Sequence, residues 1–127
     1  MTKLLITLIL AFTSNLAAAE WTMIQTNDHG NMYIDFDSIQ KSGDLVTVLT
    51  LNDYYAVQLK RELSSQWKEL HDCKNKKFKA LTIKYYSENM ANGNIIETIS
   101  LQESVTAWSD IVSYSIGELK ANVICSR

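Results

Sequence analysis

The sequence predicts an α+β chain that is mainly β: an antiparallel sheet of about six strands, a C-terminal helix packed on it, and one disulfide. Three observations lead there. Leu45 to Leu51 has the period of a strand, with Leu45, Thr47, Leu49 and Leu51 on one face and Val46, Val48 and Thr50 on the other, and Phe78 to Tyr86 sets Leu81, Ile83 and Tyr85 against Ala80, Thr82 and Lys84. Asn92-Gly93 separates the second run from Ile95 to Ile99, which is the strongest short hairpin signal in the chain because both residues accept positive φ. Near the C-terminus the period changes: Ser115 precedes Ile116, Leu119 and Val123, which share a helical face, and Glu118 completes a capping box with the serine.

In chain order, Lys3, the apolar run Leu4 to Phe12 and Ala17-Ala18-Ala19 have the layout of a cleavable export signal. The run falls short of the ~20 residues that cross a bilayer. The expectation is therefore a signal peptide over 1–19, cleavage after Ala19, a single domain over 20–127 and no stable membrane insertion. No cysteine ends the apolar run to carry a lipid, so the mature chain is expected to be soluble. Trp21 to Gln25 and Met32-Tyr33-Ile34 read as two strands joined by the polar loop Thr26 to Gly30. Asp35 to Ile39 reads as a short helical turn, followed by a turn at Ser42-Gly43-Asp44. Leu45 to Leu51, apolar on both faces, is expected to be a central strand. Ala56 to Leu63 reads as loop or fraying strand, and Ser65 to Cys73 as a strand with one wet face. The helix is expected over about Ile116 to Val123, laying Ile116, Leu119 and Val123 on the sheet.

Composition narrows the function classes. Fourteen acidic residues against 12 basic ones give a formal net charge of −2, which argues against nucleic acid as the main partner. Pro is absent and Gly occurs only four times, so no segment reads as a disordered linker. Two cysteines, Cys73 and Cys125, in a chain bound for an oxidising compartment usually pair. The bond would contribute roughly 4 kcal/mol in the chain-entropy model. Two buried free thiols is the alternative, favoured by a cytosolic location.

Catalytic groups are sparse. A hydrolytic triad needs a base beside a nucleophile, and neither His29 nor His71 lies near a nucleophile motif. Cys73 and His71 would share a strand face, but a disulfide removes the thiolate. Asp28-His29 and His71-Asp72-Cys73 hold metal-ligand residue types without metal-ligand spacing, and the two histidines read as solvated. Glu62, Glu69, Asp72, Glu88, Glu97 and Glu103 are dispersed carboxylates, equally explained as a solvated face. No catalytic, metal or cofactor residue is assigned, and no cofactor is expected.

One charge run stands out: Lys74, Lys76, Lys77 and Lys79, around Phe78. It could be a basic patch for acidic partners such as sulfated glycans, anionic proteins or lipid headgroups. The favoured alternative is a lysine-rich turn and edge strand that resists aggregation. Tyr54, Tyr55, Tyr85, Tyr86 and Trp108 could form a binding surface, or serve as core and cross-strand pairs. An open sheet edge could pair with a second copy of the chain.

Several landmarks fall in a familiar order: Trp21, Tyr33-Ile34-Asp35 with Ser38-Ile39, Gly43, and Leu49-x-Leu51-x-Asp53-Tyr54. Ser65, Asp72-Cys73, Phe78, Tyr85-Tyr86, Met90-x-x-Gly93, Trp108-x-x-Ile111-x-x-x-Ser115-Ile116, Leu119 and Ile124-Cys125 continue the series. Across nearly the whole mature segment this resembles the bacterial surface adhesin protein E family. The resemblance implies a small antiparallel sheet with a disulfide-tethered C-terminal helix. It also implies a non-enzymatic exported protein of a Gram-negative bacterium, in the periplasm, secreted or at the cell surface, engaging a protein or glycan macromolecule such as host matrix. A soluble periplasmic protein with a structural or inhibitory role on an envelope partner is the alternative. Ser113-Tyr114 stands where the family usually has Pro-Gly before the last helix.

Overall fold

The computed structural model describes residues 19–102 and 106–127, so the expected signal segment through Ala18, and Glu103, lie outside the described residues. The strands are β1 (Thr22–Thr26), β2 (Gly30–Ser42), β3 (Leu45–Tyr54), β4 (Ser64–Asp72), β5 (Lys77–Tyr86), β6 (Ile95–Ser100) and the two-residue β7 (Ser109–Asp110), followed by helix α1 (Ile116–Cys125). The first six form one antiparallel meander in chain order, and β7 pairs with the start of β5. Each of the first six strands therefore pairs with its sequence neighbour, and alternation gives the sheet two faces of distinct chemistry.

One face carries Ile34, Val46 and Val48, which close a core with Ile124 of α1; Phe36, Ile39, Val123 and Cys73 pack around it. As expected, β3 is central and α1 covers the sheet. Ser115 Oγ accepts from the Glu118 amide at 3.2 Å, and Glu118 Oε1 accepts from the Tyr114 amide at 3.3 Å, so the capping residues act at the predicted helix start. The helix ends where Cys125 is bonded to Cys73, with Cα atoms 5.8 Å apart.

The packing stripe of α1 differs from the predicted one. Ile116 and Leu119 are 40% and 45% exposed, whereas Ala121 and Ile124 are buried. The face on the sheet is Lys120, Ala121 and Ile124, with Val123 alone of the predicted stripe packing beside it. An apolar pattern alone skips it because a lysine occupies its middle, and that lysine meets a buried carboxylate on β4.

Asp35 to Ile39 also differs: it lies inside β2 as a bulge. Asp35 pairs with Leu49 and Gln40 with Thr47, so the intervening residues of β2 are surplus to the ladder. Asp35 Oδ1 accepts from the Asp37 amide at 3.1 Å, while Ser38 Oγ donates to the Asp35 carbonyl and accepts from the Leu49 amide at 2.8 Å. Turn-forming residues do form a local turn, but β3 supplies partners on both sides of it and the strand resumes.

The β5–β6 hairpin exists with a longer connection than a two-residue turn. A short 3-10 turn over Asn89–Ala91 fills it. Gly93 takes φ +76 as expected, and a Cβ there would lie 2.4 Å from Ser87 Oγ. Asn92 stays extended, and the positive φ values fall instead on Met90 and Ala91. Asp53 Oδ1 takes the Met90 amide at 2.7 Å and Ser64 Oγ the Ala91 amide at 2.9 Å, which holds that conformation against the end of β3 and β4. Before α1, Tyr114 adopts φ +62, a left-handed backbone, with its side chain fully exposed.

Candidate binding surface

Strand β4 has the one wet face expected of it, with Gln66 half-buried and Lys68 exposed on the side away from α1, but its other face is covered. It lies between β3 and β5, and under α1 it presents Glu69 and His71, each 1% exposed. Glu69 Oε1 receives the Lys120 ammonium at 2.8 Å and His71 Nε2 at 3.2 Å, and Glu69 Oε2 accepts from Thr50 Oγ1. A carboxylate only accepts, so the imidazole proton bonded to it sits on Nε2. Burial pushes the Glu69 carboxyl upward, but the hydrogen bond from His71 and the charge of Lys120 outweigh this and hold its pKa at about 2. The imidazole stacks on Phe78 at 5.9 Å between centroids, and Lys120 lies 5.7 Å above the same ring. The reading of His71 as a solvated residue is thus corrected: it is a core residue, in a network that anchors α1.

The other groups considered for chemistry are dispersed. His29 is exposed in the β1–β2 loop. Asp72 points to the opposite face from His71, accepts from the Asn75 amide and side chain in the β4–β5 turn, and has a lowered pKa through those bonds. Glu62 is 6% exposed in the β3–β4 connection, and Glu97 pairs with Lys60 at 2.5 Å on the surface. Among the described residues no cluster of His, Cys, Asp or Glu is arranged to hold a metal, and no helix is long and apolar enough to cross a membrane.

The lysine run splits into separate environments. Lys74 and Lys76 project from the β4–β5 turn and are exposed. Lys77 lies 3.6 Å from Asp110, and Lys79, 6% exposed, donates to the Thr106 carbonyl and sits 4.5 Å above the Trp108 ring. The aromatics divide as well. Tyr54 and Tyr85 share the helix-bearing face, where Tyr54 hydroxyl meets Ser65 Oγ at 3.1 Å and Lys60 lies 5.1 Å above Tyr85. Tyr86 belongs to the opposite face and donates to Gln66 Oε1 at 3.2 Å, while Tyr55, after β3, bonds the paired Thr26 and Asn31 at the adjoining ends of β1 and β2. No single aromatic surface results.

What the fold leaves uncovered is the middle of the face opposite α1, between the 3-10 turn at one end and Trp108 at the other. Leu49, Gln66, Lys68, Thr82 and Lys84 line a depression of about 140 Å³ there. It adjoins a second, of about 260 Å³, lined by Ser38, Gln40, Thr47, Leu49 and Lys68 at the β2 bulge. Sequence reading passed over Lys68 and Lys84 because they lie 16 positions apart; register brings them together, with Lys68 opposite Thr82 and Lys84 opposite Gln66.

A family model described as surface-adhesin protein E matches residues 21–126. Crystal form II of Haemophilus influenzae protein E is similar in fold, with a TM-score of 0.61 at 16% identity, over 86% of this chain and 89% of that one. Protein E from non-typeable Haemophilus influenzae gives 0.58 at 16% identity, over 87% and 79% of the two chains. A search of curated protein sequences found no match. With sheet, helix and disulfide arranged as that resemblance implied, and with the family model spanning the domain, the chain belongs to the surface-adhesin protein E family.

Proposed function

We propose that this chain is an exported, non-enzymatic binding domain that engages macromolecules through the uncovered sheet face. The observation that carries this reading is that face itself: a shallow, open depression with two lysines on an antiparallel meander, in a chain of a surface-adhesin family. The leader-like segment supports export, and the family match begins at residue 21, just beyond the expected cut. A binding role without catalysis is further supported by the Glu69–His71 pair, which is sealed beneath α1 and committed to holding it. Cell-surface display brings host matrix within reach; the periplasm would restrict the partner to the envelope.

The test is protease shaving of intact cells with a periplasmic marker as control, followed by binding of the purified protein to an immobilised extracellular-matrix preparation. Loss of the chain while the marker survives, together with saturable binding, is the expected result. Survival of both proteins moves the chain to the periplasm, and absence of binding to matrix and to envelope proteins alike contradicts the reading.

A further inference from the structure

We infer that the trough on the uncovered face is a binding site for a sulfated glycan chain, an inference that deepens the binding reading above and rests on it. The two depressions share Leu49 and Lys68, so they form one continuous trough that crosses β5, β4, β3 and the bulged part of β2. From Lys84 to Gln40 it spans three inter-strand spacings of about 4.8 Å, roughly 14 Å in all. That length suits a short stretch of oligosaccharide lying across the strands.

Its chemistry selects the occupant. Lys68 and Lys84 are same-face diagonal neighbours on β4 and β5, roughly 7 to 8 Å apart at the backbone. Neither makes an ion pair or a hydrogen bond among the described residues, whereas Lys60, Lys77, Lys79 and Lys120 each do. The remaining wall is neutral: hydrogen-bonding Gln66, Thr82, Thr47, Gln40 and Ser38 stand among apolar surface that includes Leu49 and Val48, and no acidic residue lines it. In a chain of net negative charge, two uncompensated ammonium groups in one trough mark a site for an anion. A sulfate ester is permanently ionised and rich in acceptor oxygens, which matches lysine donors flanked by amide and hydroxyl donors. Leu49 gives a sugar ring one apolar patch to lie on. The trough is shallow and open, without a deep pocket to take the buried aromatic or aliphatic anchors that dominate peptide and protein interfaces.

The experiment is calorimetric titration of the purified protein, produced from its full chain, with a size-defined heparin oligosaccharide. A polyuronate without sulfate, neutral dextran and poly-glutamate serve as the other probes. Lys68→Glu with Lys84→Glu is compared with Lys74→Glu with Lys76→Glu, which places the same charge change on the β4–β5 turn. The expected result is saturable, salt-sensitive binding of the sulfated chain, weakened at least about tenfold by the trough variant and less by the turn variant. Both pairs are exposed or half-exposed, and an unchanged melting curve verifies that the variants fold.

Equal loss in both variants overturns the assignment of the site, and equal binding of the polyuronate overturns the choice of sulfate. Preference for poly-glutamate would make the ligand an acidic peptide. A protein that binds the matrix preparation but no sulfated glycan overturns this inference alone; one that binds neither removes the underlying reading too.

Discussion

Lys120→Met tests the way the helix is fastened to the sheet. The substitution keeps an apolar stem of similar length and removes the ammonium that lies 2.8 Å from Glu69 Oε1. Glu69 is 1% exposed, so its charge would be left buried with His71 and Thr50 as its remaining hydrogen-bond partners. Removing one partner of a buried pair costs about 3 to 5 kcal/mol, a large share of the ~5 to 15 kcal/mol a domain has. The lowered pKa gives a second estimate. Moving the Glu69 carboxyl from 4.5 to about 2 corresponds to roughly 3 kcal/mol of stability at neutral pH, of which Lys120 supplies a part. Because the folded-state pKa is depressed, this contribution is present above about pH 4.5 and is lost as pH falls through about 2. Thermal melts of wild type and variant at pH 7 and pH 2.5 read both quantities. The variant should melt more than about 10 °C below wild type at neutral pH, and the gap should narrow in acid. Glu69→Gln added to Lys120→Met should recover part of the loss, since the buried charge is then gone. A variant within a degree or two of wild type at pH 7, or a gap that widens in acid, refutes the reasoning.

Other substitutions probe separate features. Cys73→Ser should expose a reactive Cys125 thiol and destabilise the domain by roughly 4 kcal/mol; two titratable thiols in the wild-type protein would contradict the disulfide. Tyr114→Gly should raise the melting temperature slightly, by relief of a left-handed backbone strain of about 1 kcal/mol partly offset by glycine's freer unfolded chain, and a lowered melting temperature would contradict this. Asp53→Ala removes the acceptor for the Met90 amide and for Asn89 Nδ2, so hydrogen exchange at Met90 and Ala91 should accelerate; unchanged protection would show that the 3-10 turn holds itself.

Much of the fold was legible because local pattern and global structure agree here. The period-two runs became β3 and β5, the capping box became the start of α1, and the two cysteines met. The misreadings share a physical cause: each turned on a partner far away in sequence. Asp35 to Ile39 has turn chemistry, but hydrogen bonds from β3 carry the strand through it. Lys120 reads as a solvent-facing residue until Glu69 lies beneath it, and that one pairing rotates the buried stripe of the helix. Glu69 and His71 look like residues of a wet strand face, yet the helix covers them. The trough depends on strand register, which assembled Lys68, Lys84, Gln66 and Thr82 from positions that carry no motif. The charge run was conspicuous only because four of six residues from Lys74 to Lys79 are lysines, and the fold then sent them to different surroundings.

Lysine footprinting of the full-length product, free and bound to the matrix component it captures, tests the central claim about the uncovered face most directly. The account predicts that Lys68 and Lys84 lose reactivity towards an amine-specific reagent on binding, while Lys74 and Lys76 on the β4–β5 turn keep theirs. Protection of the turn lysines with Lys68 and Lys84 still reactive would place the binding surface elsewhere and contradict it.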